Sequence, residues 1–258
     1  MKPRRDSIFV PAVSHKGIVR LFAFIKAGYK LDPSAGSGIM ESRLFLGTAR
    51  YSSWSLRGWL LVRLAGLKVD EVFVPLAGGN SPAVKAVSPS GKVPYLEHDG
   101  AQVWESLAIA EYCAEINPAL WPADRRAKAW ARAMAAEMHA GFTALRASMS
   151  MNLMRRDRAG VGQTPESLAD IARIEALWAQ TKAKFGAGGP YLFGAAFNAV
   201  DAMYAPVVAR FLTYQPPLTP QSEAYCAAVR THPLVAEWYE IAAREPESWR
   251  VEKFESLP

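Results

Sequence analysis

The chain has 258 residues, 50% of them hydrophobic and 21% charged, which suits one large or two small globular domains with a sizeable core. Its net charge of +6 suggests a nucleic-acid partner until the charge is located: residues 1–39 hold Lys2, Arg4, Arg5, Lys16, Arg20, Lys26 and Lys30 against Asp6 and Asp32, whereas from Met40 onward 23 basic residues face 22 acidic ones. A surface that tracks phosphates needs a basic stripe on the folded part, and a membrane span needs ~20 apolar residues; neither pattern is present, so no nucleic acid and no membrane are expected as partners.

Cys113 and Cys226 form no CxxC pair, and His15, His98, His139 and His232 are scattered, so no metal is expected. Two buried, reduced thiols and a cytoplasmic location follow as expectations. Residues 1–39 end in Asp-Pro-Ser-Ala-Gly-Ser-Gly (32–38), a linker composition, and read as a basic, disordered extension, an address peptide being less consistent with Asp6 and Pro11.

From residue 43 the apolar period alternates. Arg43-Leu-Phe-Leu-Gly47 is a short strand, Ser55 to Leu67 has helical spacing with Gly66 near its end, and Val69 to Leu76 alternates as a second strand. Val93 to Glu97 and Gln102 to Trp104 flank Asp99-Gly100, a strong hairpin signal. Ser106 to Ile116 is helical and stops before Asn117-Pro118. Residues 40–118 are thus a mixed α/β unit. After Trp121-Pro-Ala-Asp124 the strand signals cease. Trp130, Met134, Met138, Phe142, Leu145 and Met149 recur every three or four residues and predict one long helix over 125–154. Further helices are expected at about 165–185, 199–214, 220–230 and 233–244, so residues 124–250 are an all-helical unit.

Three short patterns carry chemistry. Tyr51-Ser-Ser-Trp-Ser-Leu-Arg57 occupies the turn into the first helix, where a serine either caps the helix or aims its hydroxyl at an anion near the helix dipole. In Lys92-Val-Pro-Tyr-Leu96, Pro94 marks a sheet edge, or, with a cis bond, turns the backbone of Val93 toward an extended peptide ligand. Glu105-Ser106 opens a helix, with Ser106 as its N-cap and a possible carboxylate site.

In order and separation these segments resemble the glutathione transferase superfamily, of the zeta- or theta-like serine group, over essentially Met40 to the C-terminus. Phe197-Asn-Ala-Val-Asp201 resembles that family's helical-domain capping box, with Asn198 where Ser or Thr is usual. The resemblance implies an α/β thioredoxin-like N-terminal domain, an all-α C-terminal helical domain and a homodimer. It implies that Ser106, with Glu105 beside it, holds the γ-glutamyl carboxylate of glutathione. Val93 pairs with the cysteinyl part beside a cis Pro94, and Lys92, or Lys85, supports the glycine end. The thiolate partner it implies is Ser52, or Ser53 in an alignment shifted by one, with Ser55 as the helix cap. Trp54 stands where zeta members carry a cysteine tied to isomerase chemistry, which argues against that activity and against mixed-disulfide reduction. Conjugation of glutathione to a small hydrophobic electrophile is the expected reaction, with glutathione as co-substrate. Peroxide reduction, ether cleavage, isomerisation and non-catalytic binding of glutathione or a hydrophobic ligand are the alternatives. The implied electrophile pocket lies between the domains, with Trp54, Phe142, Met149 and Tyr204 as its wall.

Overall fold

β1 (Arg43–Gly47) is apolar on both faces from Leu44 onward, as a strand covered on both sides must be. In the computed structural model, which describes residues 42–256 apart from Asn80, it lies inside a four-stranded sheet of order β2-β1-β3-β4. β2 (Asp70–Val74) runs parallel to β1, from Arg43 opposite Asp70 to Gly47 opposite Val74. β3 (Tyr95–His98) runs antiparallel to β1, with Phe45 opposite Tyr95. β4 (Ala101–Trp104) completes the hairpin expected at Asp99-Gly100, both of which have positive φ (46° and 81°), as a primed turn requires. The leader at 1–39 lies outside the described residues.

The expected strands are shortened where proline intervenes. β2 stops at Val74 because Pro75 has no N–H for the ladder, and β3 begins at Tyr95 rather than Val93 because Pro94 has none either. The Val93–Pro94 bond is cis. The loop between β2 and β3 contains a helix absent from the sequence reading, α2 (Pro82–Val87). Ser81 followed by Pro82 is its local signature.

α1 (Ser53–Ala65) begins two residues earlier than predicted and ends at Gly66, whose φ of 75° lets its N–H reach back to the carbonyls of Val62 and Arg63. Residues 55–62 are all buried, more than a helix covering one sheet face requires, because α1 also packs on helices of the second half. α3 (Ser106–Ile116) lies beside it. Trp59 of α1 meets Trp238 at 5.3 Å between ring centroids.

The single helix predicted for 125–154 is two: α4 (Arg125–Ala140) and α5 (Thr143–Ser148). The break falls at Gly141 and at Phe142, which has φ 56°, and Arg146 Nη2 donates to the freed carbonyls of Met138 and His139 at 2.6 and 2.8 Å. Met134, Met138, Leu145 and Met149 remain buried through the bend, so the apolar period outlives the helix that it predicts. α6 (Pro165–Phe185), α7 (Ala199–Tyr214), α8 (Pro220–Thr231) and α9 (Pro233–Ala243) follow at the expected places, and a short α10 (Glu252–Ser256) follows them.

α7 is the axis of this half, with every residue but Leu212 buried. Its start is the expected capping box: Asn198 Oδ1 accepts from the Val200 N–H at 2.9 Å and Asp201 Oδ2 from the Asn198 N–H at 3.0 Å. Asp201 Oδ1 also accepts from the Leu192 N–H and the Tyr225 hydroxyl, so one carboxylate ties three segments together. Burial nevertheless pushes its pKa up to about 6. Among the described residues no helix is long and apolar enough to cross a membrane.

Candidate functional site

The three sequence patterns converge on one cleft of about 540 Å³, with Ser52 and Trp54 at the start of α1, Lys92 to Pro94 before β3, and Glu105 before α3 on its wall. Leu76 and Ser81 of the β2–α2 loop and His139 at the end of α4 complete it, and the sequence reading anticipated none of these. Their positions depend on how the loop and the second half fold onto the sheet. No local pattern marks them apart from the Ser81–Pro82 start signal.

Ser52, not Ser55, is the N-cap of α1. Its Oγ accepts from the Ser55 N–H at 3.2 Å and donates to Ser55 Oγ at 2.8 Å. Ser55 instead sits fully buried in the first turn, where its Oγ accepts from the Gly47 N–H at 2.8 Å and fastens the helix to the end of β1. Ser52 therefore faces both the helix and the cleft. Ser53, next to it, is half-buried and does not line the cleft.

The turn before Ser52 is held from the far end of the chain. The buried Glu245 carboxylate accepts from the backbone N–H groups of Ala49 and Arg50, Trp238 Nε1 donates to the Ala49 carbonyl at 3.2 Å, and the Leu153 N–H donates to the Arg50 carbonyl at 3.0 Å. The Tyr51 hydroxyl donates to Glu255, and its ring lies against Phe254 at 5.0 Å. This explains how a short loop stays ordered without a strand ladder. Ionised Glu245 is costly there: burial raises its pKa to about 7 against the opposing pull of the two amides and of Arg50.

Opposite Ser52, Val93 precedes the β3 ladder and Lys92 is exposed. The Pro94 ring presses on α1 at Gly58, where an added Cβ would stand 2.6 Å from Pro94 Cβ and Cγ. Glycine is needed there for the close approach. Glu105, not Ser106, is the N-cap residue of α3. It has φ 66°, a rare conformation for a non-glycine residue that costs on the order of 1–3 kcal/mol and is tolerated mainly at functional sites. Ser106 occupies the first helical position, and its fully buried Oγ has no hydrogen-bond partner among the described residues.

Of the four residues expected on the electrophile wall, only Trp54 lines the cleft. Phe142, Met149 and Tyr204 are buried in the core of the helical half, with Tyr204 edge-on to Trp178 at 5.6 Å. α7 carries Tyr204 and is buried all round, so its sequence offers no face that distinguishes a pocket wall from core. Cys113 and Cys226 are buried free thiols, pushed up to about 12 by burial, and neither lines the cleft.

A thioredoxin-like sheet is followed by a set of helices, with a cleft at the N-termini of α1 and α3. Residues 51–116 match the family model for the glutathione S-transferase N-terminal domain, and residues 127–240 match that for its C-terminal domain. The chain belongs to the glutathione S-transferase family. It is 30% identical over 193 residues to Protein IN2-1 homolog A of Oryza sativa subsp. japonica, covering 71% of this chain and 74% of that one. Its fold is shared with a maleylacetoacetate isomerase from Anaeromyxobacter dehalogenans with glutathione in the active site (24% identity, TM-score 0.59, 81% and 99% of the two chains). A theta class transferase from Xanthomonas axonopodis pv. citri with glutathione bound is similar at 23% identity and TM-score 0.55, over 80% and 98%.

Proposed function

We propose that this chain binds glutathione along the cleft and transfers its thiol to a small hydrophobic electrophile, through a thiolate held by Ser52. One observation carries the reading: the Ser52 turn, the Val93–Pro94 segment and Glu105, far apart in sequence, meet on one cleft at two helix N-termini. Ser106, with a buried hydroxyl that no group among the described residues satisfies, supplies a donor for the γ-glutamyl carboxylate at the positive end of α3. Val93, outside the ladder, offers its backbone to the peptide, with Lys92 toward the glycine end.

Glutathione's thiol has an intrinsic pKa of roughly 8.5, so the protein's task is to favour the anion at neutral pH. Ser52 is no base. Its hydroxyl hydrogen rotates from Ser55 Oγ toward the sulfur, while its oxygen keeps the Ser55 N–H, so the helix stays capped as the thiolate gains a donor. The thiol proton leaves to solvent and the sulfur attacks the electrophile. With both domains present, a homodimer acting in the cytoplasm is part of this reading. The maleylacetoacetate isomerase likeness concerns the fold, and Trp54 in place of a cysteine argues for conjugation.

Retention of the full chain on immobilised glutathione tests the binding half. Ser106→Ala should weaken binding roughly ten- to a hundredfold, the range for a lost hydrogen bond to a charged group. No retention and no thermal stabilisation by free glutathione would end the reading. Retention without conjugation of 1-chloro-2,4-dinitrobenzene would leave the non-catalytic alternative.

A further inference from the structure

Trp54 lies on the cleft wall with two guanidiniums against it: the Arg57 Cζ stands 4.6 Å and the Arg146 Cζ 4.9 Å from the centre of its ring, and the His139 ring meets it edge-on at 5.2 Å. A third guanidinium, Arg210, is near enough to act with Arg146 on Arg57, whose pKa is lowered chiefly by complete burial. Among the described residues, none of the three arginines pairs with a carboxylate. Asp170, the acidic group acting on Arg146, accepts from the Leu145 N–H, and Glu137 is paired with Arg173. Glu105 faces His139 at 3.7 Å on the glutathione side.

Backbone carbonyls account for part of this charge. Arg57 Nε donates to Met203 at 2.8 Å, Arg146 Nη2 caps α4, and Arg210 donates to Met149 and Pro206. The carbonyls of Met138, His139 and Met149 are helix ends, and those of Met203 and Pro206 lie inside α7. The remainder has no such account: Arg57 Nη1, Arg146 Nε, His139 Nδ1 and the Tyr204 hydroxyl are all buried with no hydrogen-bond partner among the described residues. Arg57 is 1% exposed and Tyr204 0%. Burial keeps the Tyr204 phenol protonated, so it has a hydrogen to give. Arg57 and Tyr204 are fully buried and do not line the cleft, so the cation that calls for a negatively charged acceptor is the half-buried Arg146 against the Trp54 ring.

We propose that the second-substrate end of the cleft takes a carboxylate-bearing electrophile, its unsaturated or aromatic part beside Trp54 and its carboxylate toward Arg146. The inference rests on the transferase reading for its chemistry and on the arginine cluster for its specificity. With an aryl halide the step balances simply. The glutathione sulfur forms a bond to the ring carbon, the carbon–halogen bond breaks, the halide leaves with the bonding pair, and the thiol proton goes to solvent. The carboxylate is untouched and serves as the anchor.

Two matched pairs of probes test it on the full chain. Calorimetric titration with 3-nitrobenzoate and 3-nitrobenzamide, which differ in charge and carry no leaving group, should show the acid binding about tenfold or more tightly, as a charge-assisted contact predicts. The same preference should appear in kcat/KM for 4-chloro-3-nitrobenzoate over its amide. Arg146→Gln should collapse the preference while Arg146→Lys keeps part of it, with nitrobenzamide binding as the control for folding. Equal binding of acid and amide by the wild type overturns the proposal and leaves ordered water as the filler of those donors. A preference that survives Arg146→Gln overturns it too. If the acid preference holds but glutathione is not retained, the transferase reading fails and the anion site stands.

Discussion

Glu245 offers a test in which the pH dependence itself is the readout. Its side chain is buried and holds the Ala49 and Arg50 amides, which set the turn that leads into Ser52. The folded protein raises its pKa from the ordinary 4.5 to about 7, chiefly by burial. Because the folded pKa is the higher one, the native state holds the proton more tightly than the unfolded chain. The stabilisation is complete below pH 4.5, declines as pH rises through 7, and is flat above it. The shift of about 2.5 units at 1.36 kcal/mol per unit corresponds to roughly 3 kcal/mol across that window. In Glu245→Gln this component vanishes, and a constant offset of about 1–3 kcal/mol remains because the amide NH2 faces a backbone donor. Urea denaturation of both proteins at intervals from pH 4.5 to 8, followed by tryptophan fluorescence, isolates the Glu245 contribution, since every other group is common to both. Relative to the variant, the wild type should lose about 3 kcal/mol between the ends of the series. Parallel curves would show that Glu245 is ionised throughout and that the two amides and Arg50 outweigh its burial.

Ser52→Ala should lower conjugation of 1-chloro-2,4-dinitrobenzene roughly ten- to a hundredfold, leave glutathione affinity nearly unchanged, and cost about 1 kcal/mol of stability through the lost cap. Ser53→Ala should be nearly silent, and if it alone abolishes turnover then the serines are assigned the wrong way round. Gly58→Ala drives a Cβ into the Pro94 ring at 2.6 Å, and overpacking of about 1–3 kcal/mol outweighs the gain in helix propensity. Its urea midpoint should fall together with glutathione affinity, and a stabilised variant would show that Pro94 yields easily.

Much of the fold was legible because its signals are local. The Asp99–Gly100 hairpin, the Asn198–Asp201 capping box and the stop at Asn117–Pro118 each depend on a few neighbouring residues. The break between α4 and α5 was not legible. The Met134 to Met149 stripe runs through it, and the Arg146 guanidinium that satisfies the freed carbonyls looks in sequence like a surface charge. The same limit applied to the site. Helix-start chemistry put a serine at residues 52–55 and a helix mouth at 105–106, and Pro94 read as a sheet edge or a cis turn beside Val93. Which serine caps and which faces the cleft depended on β1, because Gly47 claims Ser55.

The sequence alone determined most of the strands and helices, since these rest on short-range hydrogen bonding and apolar period, and the resemblance of three short motifs to the glutathione transferases pointed to the segments that meet at the cleft. Tertiary structure decided the rest. Phe142, Met149 and Tyr204 went to the core rather than the pocket wall, the far C-terminal Glu245 braces the Ser52 turn, and Arg57 and Arg146 lie against Trp54. Each of those outcomes joins residues far apart in sequence, and no local pattern records which segments will meet.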